Sequence, residues 1–163
     1  MAFLDYLQTT AYSEWVQVSW GWAWALTIHA FGNATVVGLA WIIALRLWGF
    51  FRTIPTTSLR TLFPFIWVGV AFQVYSGVTL WMSKPGKYVK DWVFDTKFTF
   101  VVLGVITTLI FQKLYSREVA DWQASGVVSK TGKQWVTIMA ICWGMVTIMG
   151  RLTAYLGQLY GGG

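Results

Sequence analysis

This chain is poor in the residues that most often carry chemistry. Its one cysteine, Cys142, excludes an internal disulfide and every metal motif built on cysteine pairs. Its one histidine, His29, excludes a bis-histidine haem within a single copy. The six carboxylates, Asp5, Glu14, Asp91, Asp95, Glu118 and Asp121, fall outside the apolar runs or at their edges. A proton pump or cation channel normally needs acidic groups inside the bilayer, so that class is disfavoured. Charged residues make up only 11% of the 163 positions, too few for an ordinary soluble surface.

What the chain has in excess is apolar surface. With 56% hydrophobic residues and a mean hydropathy of +0.57, it reads as an integral membrane protein. A membrane helix needs about 20 mostly apolar residues, and four such runs are expected at about 20–46, 62–82, 97–114 and 135–156. They leave room for a single membrane domain over 1–163. The connectors are FFRTIPTTSLRT with Pro55, SKPGKYVKD with Pro85-Gly86, and the polar stretch SREVADWQASGVVSKTGKQ. The opening MAFLDYLQTTAYSEW lacks the basic and then apolar pattern of a cleavable signal peptide, so it is expected to be retained. It reads as an amphipathic helix with Phe3, Leu4 and Leu7 toward lipid, a polar tail being the alternative. The expected fold class is therefore all-α: an integral membrane four-helix bundle with a short N-terminal interfacial helix.

The net charge of +6 does not point to nucleic acid, because the basic residues lie in the connectors, where membrane topology explains them. Connectors one and three share one side of a four-span bundle and hold Arg46, Arg52, Arg60, Lys113, Arg117, Lys130 and Lys133. The other side has Lys84, Lys87, Lys90 and Lys97. The positive-inside bias thus predicts both termini outside the cytoplasm. Of the twelve tryptophans, Trp15, Trp20, Trp81 and Trp92 mark one expected interface, and Trp48, Trp122 and Trp135 the other.

Against this background a few polar residues stand out. His29 lies in an apolar run from Trp22 to Trp48 with no other ionisable residue before Arg46, and an imidazole there needs a partner. Asn33, Gln73, Ser76, Lys97 and Arg151 are the other polar candidates. At about 1.5 Å of rise per residue, His29, Gln73 and Arg151 fall roughly 9 to 15 Å below the outer surface, with Lys97 above them. Helical spacing groups His29, Gly32, Asn33 and Val36 on one face, and Gly69, Gln73, Ser76 and Gly77 on another. Lys97, Val101, Gly104 and Thr108 form a third face, and Gly144, Thr147, Arg151 and Tyr155 a fourth.

Two readings of this group stand side by side. In one, His29 only satisfies a hydrogen bond to Asn33, Gln73 or a carbonyl, while Lys97 and Arg151 snorkel to headgroups. In the other, His29, Asn33, Gln73, Lys97 and Arg151 form an outward-facing cofactor pocket. There His29 would ligate haem iron or meet a quinone carbonyl, and the two cations would balance propionates or phosphate. Haem would then be five-coordinate, dimer-bridged or His/Met ligated. Met149 is at a suitable depth but two residues from Arg151, roughly 200° round the helix, so both cannot face one pocket. Met139, Cys142, Met145 and Met149 also form a sulfur stripe that would suit Cu(I), or serve as plain apolar packing.

The runs LTIHAFGNATVVGLAWIIALRLWGF, TLFPFIWVGVAFQVYSGVTLWMS, DTKFTFVVLGVITTLIF and GMVTIMGRLTAYLG, in that order, resemble a family of four-span bacterial inner-membrane proteins. That family is in turn distantly similar to the copper-resistance CopD membrane domain and to HemJ-type protoporphyrinogen oxidases. In the resemblance His29 matches the intramembrane histidine, Arg46 the arginine ending the first helix, Lys97 the lysine opening the third, and Arg151 the arginine of the closing segment. It implies a bacterial inner-membrane location and haem b as a cofactor.

The function expected from the sequence is haem b binding, or else quinone binding, for redox or tetrapyrrole chemistry. The alternative is a non-catalytic accessory subunit that docks on other membrane subunits or on a second copy of itself through its small-residue and tryptophan-rich faces. Copper handling comes third.

Overall fold

The computed structural model describes residues 2–88 and 92–160. In chain order the helices are α1 (Ala2–Gln8), α2 (Ala11–Val18), α3 (Gly21–Leu47), a 3-10 helix (Thr56–Leu62), α4 (Phe63–Ser83), α5 (Pro85–Tyr88), α6 (Trp92–Ser125) and α7 (Lys130–Tyr160). No strand occurs among the described residues, and the fold is an all-α bundle. The segments Gly21–Trp48, Thr56–Ser83, Trp92–Ser125 and Lys130–Thr153 are each long and apolar enough to cross a membrane. By that measure of length and composition the chain is a multi-pass membrane protein.

Three features differ from the sequence reading. The N-terminal region is two short helices instead of one. Thr10 separates them, its hydroxyl accepting the Ser13 N–H as an N-cap. Tyr12 then ties α2 to α4 through its hydroxyl, 2.9 Å from Thr79 Oγ1. Second, the polar stretch after Leu114 is not a loop, since α6 continues to Ser125. Tyr115, Val119 and Trp122, spaced by four and three residues, put one apolar stripe on the core, which low mean hydropathy conceals. Third, Trp122 is buried against Tyr115 instead of marking an interface, with ring centroids 6.1 Å apart.

Glycines decide how the spans pair. A Cβ on Gly32 of α3 would lie 2.8 Å from the Gly69 carbonyl oxygen of α4, and one on Gly69 only 2.7 Å from Val36 Cγ2. The two backbones therefore cross at close range. On the other side of the bundle Gly104 of α6 receives the Trp143 indole of α7, whose Nε1 donates to Thr108 Oγ1 at 3.0 Å. α3 also packs on α7, so the spans run α4, α3, α7, α6 around the bundle.

The α4/α6 side lacks a comparable backbone approach. Its basic end is closed by side chains. Phe63 stacks obliquely on Phe111 and Tyr115, and Trp67 Nε1 donates to Gln112 Oε1 at 3.0 Å. The Tyr115 hydroxyl donates to the Thr56 carbonyl at 2.7 Å and pins the 3-10 helix to α6. Toward the other end α4 and α6 stand apart, and the polar residues gather beside that gap.

Candidate functional site: a lateral slot beside His29 and Lys97

Between α4 and α6 lies a cavity of about 360 Å³. Val70, Val74, Gly77, Val78 and Trp81 of α4 form one wall, and Phe94, Phe98 and Val101 of α6 the other. Trp143 closes the back, His29, Gln73 and Lys97 supply polar atoms, and Asp95 lies at the rim. Val74, Val78 and Phe98 are each at least half exposed on the outer surface of the bundle, so the slot opens sideways, toward lipid in a membrane.

His29 is held from both sides. Its Nδ1 lies 2.9 Å from Ser76 Oγ, and its Nε2 3.4 Å from Lys97 Nζ. Ser76 has a single hydroxyl proton, and its shortest bond, 2.5 Å, goes to the Phe72 carbonyl one helical turn back. Ser76 Oγ must then accept from Nδ1–H, which leaves the Nε2 lone pair to accept from the Lys97 amine. A buried serine thus fixes which imidazole nitrogen faces the slot. Gly77 and Gly150 border the pair: a Cβ on Gly77 would touch His29 Cε1 at 3.7 Å, and one on Gly150 would touch Lys97 Nζ at 3.6 Å, both ordinary contact distances.

A second polar knot lies one turn deeper. Asn33 Oδ1 accepts from Gln73 Nε2 at 2.9 Å, and Asn33 Nδ2 donates to Thr147 Oγ1 at 2.9 Å. The Thr147 hydroxyl returns a bond to Asn33 Oδ1 at 3.2 Å. This knot joins α3, α4 and α7. Among the described residues no buried side-chain nitrogen or oxygen is left without a partner.

The five residues singled out from the sequence therefore part company. His29, Gln73 and Lys97 line the slot, whereas Asn33 sits behind it in the knot. Arg151 is exposed and does not line the slot, because Thr147 and Gly150 are the α7 positions that face Asn33 and Lys97. One residue beyond Gly150 the helix has turned by about 100°. Sequence reasoning left out Ser76 as a site residue, although its place three residues after Gln73 on the same face was the available signal. It also read Trp81 as a belt residue and gave Trp143 no role. In the sulfur stripe Met139 and Cys142 are buried in the packing of α7. Among the described residues no three His, Cys, Asp or Glu side chains converge.

No family model, curated protein or solved structure matches the chain. The reading of the site rests on its geometry.

That geometry can be tested against haem b. The Ser76 bond to Nδ1 and the inward-facing Nε2 are what an axial histidine requires. However, Lys97 holds the same nitrogen, and Arg151 does not line the slot, where a propionate would need a cation. One ligand atom fits, and the rest of a haem pocket does not.

The role of Ser76 gives a first prediction. In the ¹⁵N spectrum of the single imidazole, the wild type should show a protonated Nδ1 and an unprotonated Nε2. Ser76→Ala should move the population toward the Nε2–H form. An unchanged spectrum would mean that Ser76 does not set the tautomer.

Proposed function

We propose that this multi-pass membrane protein binds a lipid-soluble quinone in the slot between α4 and α6, in the service of membrane redox chemistry. The observation that carries this reading is the Lys97 amine. It lies in a slot walled chiefly by apolar side chains, with His29 Nε2 3.4 Å from its Nζ. A desolvated amine of this kind favours an oxygen acceptor brought by a ligand. A quinone carbonyl is such an acceptor, the ring suits walls of Val, Phe and Trp, and an apolar tail can leave through the lateral opening into lipid. The chain's own part is to hold the headgroup and to exchange a proton at its oxygen through Lys97 and His29. With both termini outside the cytoplasm, as the basic connectors predict, in the bacterial inner membrane that the family resemblance implies, the slot opens into the outer leaflet.

Trp81 and Trp143 line the slot, so titration with a short-tailed benzoquinone should quench part of the tryptophan fluorescence saturably. Lys97→Ala should weaken that binding about tenfold or more, corresponding to roughly 1.4 kcal/mol. Saturable quenching that is unchanged in Lys97→Ala, or absent from the wild type, overturns the proposal.

Haem b is the second reading, favoured by the hydrogen bond that holds Nδ1 and turns Nε2 inward. A reduced-minus-oxidised haem band in the purified protein, lost in His29→Ala, would make haem the ligand. A colourless protein that binds no quinone and co-purifies with a larger enzyme would favour the accessory-subunit role instead.

A further inference from the structure

Lys97 and His29 have the makings of a nucleophile and its base. A lysine attacks carbonyl carbon only as the free amine. Enzymes obtain that form by placing the side chain in an apolar site beside a group that takes its proton. Here the amine lies in an apolar slot, 3.4 Å from Nε2. Ser76 keeps the proton on Nδ1, so Nε2 is free to receive another. Among the described residues that line the slot, the titratable side chains besides Lys97 are His29 of α3 and Asp95 of α6; α4 contributes none, and Gly150 of α7, beside the amine, bears no charge.

We propose that Lys97 captures lipid-borne aldehydes as a Schiff base. The proposal uses the same slot but does not depend on a quinone occupying it. Lys97 Nζ passes a proton to His29 Nε2, and its lone pair adds to the aldehyde carbon to give a carbinolamine. The imidazolium then returns its proton to the carbinolamine hydroxyl, which departs as water while the C=N bond forms. One aldehyde and one ammonium thus become one protonated imine and one water, with His29 regenerated and no change of oxidation state. The lateral opening selects aldehydes carried on an alkyl chain, whose tail remains in lipid.

The test is reductive trapping of the purified full chain in micelles. Hexadecanal and cyanoborohydride are added, and the alkylated lysines are mapped by peptide mass spectrometry. Lys97 should be modified at least about tenfold faster than Lys84, Lys113, Lys130 and Lys133, and propanal should give less preference. His29→Ala should slow labelling of Lys97 at least about tenfold and leave the other lysines unchanged, as removal of a general base predicts. The helical circular dichroism and melting temperature of the variant report whether it is still folded. Gly77→Leu, which fills the slot while leaving both reacting groups in place, should abolish the preference. Equal labelling of all lysines, or an unchanged Lys97 rate in both variants, overturns the proposal. Fast labelling of Lys97 without saturable quinone quenching would remove the quinone reading and leave this one standing. The reverse result would remove only this one.

Discussion

Trp143→Ala should be among the most damaging single substitutions in this protein, lowering stability by about 3–5 kcal/mol. The indole is only 1% exposed, fills the space that Gly104 leaves on α6, and gives Thr108 its hydrogen bond. Its removal deletes the knob on which α6 and α7 pair, and glycine at 104 has no side chain with which to collapse into the hole. For a chain of this length the loss corresponds to a fall in melting temperature of roughly 10 °C, measurable in detergent by the thermal unfolding of purified protein. Trp143→Phe keeps most of the volume and loses only the Nε1 donor, so it should cost about 1 to 2 kcal/mol. Ile141→Ala, on the exposed side of the same helix, is the control and should change little. Equal melting temperatures for Trp143→Ala and Ile141→Ala would mean that α6 and α7 do not pair through this indole. Because Trp143 also backs the slot, Trp143→Ala should change quinone quenching as well, whereas Ile141→Ala should not.

Gly32→Leu should be of comparable severity for a different reason. The new Cβ would meet the Gly69 carbonyl oxygen at 2.8 Å and the Gln73 amide nitrogen at 3.0 Å, and both are backbone atoms of α4. No rotamer change relieves a clash with backbone, so α3 and α4 must separate. Overpacking in cores typically costs 1–3 kcal/mol, and this one should lie at about 3 kcal/mol or above because it acts along a helix crossing. The separation would also stretch the Asn33–Gln73 and His29–Ser76 hydrogen bonds, both of which span the same pair of helices. Gly38→Leu is a sharp comparison: it lies on the same helix, and a Cβ there meets nothing within 4 Å. It should be neutral or slightly stabilising, since leucine is the better helix former. Melting curves for the two variants, with the His29 ¹⁵N signals as a second readout, decide the matter. Equal stability would mean that the close crossing at Gly32 and Gly69 does not hold this pair of helices together.

Much of the architecture was legible because the bilayer imposes a simple rule on sequence. A segment that crosses it must be continuous and apolar over about 20 residues, so spans near α3 and α4 could be read to within a residue or two. The rule fails where a helix leaves the apolar zone. Beyond Leu114 the chain stays helical through an amphipathic stripe, and mean hydropathy is blind to that. The glycine faces were legible as well, because small residues at helical spacing on an apolar run are what close packing requires. Which partner each glycine meets was not, since Gly32 faces a backbone carbonyl and Gly104 an indole.

The candidate site divides in the same way. From sequence alone, composition and span length placed His29, Gln73, Lys97 and Arg151 toward one end of the bundle, because position along a helix of fixed rise sets the level of each residue. Only the tertiary structure decided which of them meet. Meeting depends on the rotation of each helix about its own axis, and that is set by packing between spans far apart in the chain. At the end of α7 the difference between facing Lys97 and facing outward is the single step from Gly150 to Arg151. The slot is likewise a tertiary product. Close crossings at Gly32/Gly69 and Gly104/Trp143 draw α3 to α4 and α6 to α7, while aromatic side chains close the α4/α6 side at its basic end. What remains is the opening beside His29, where one serine hydrogen bond turns the lone pair of the chain's single imidazole toward Lys97.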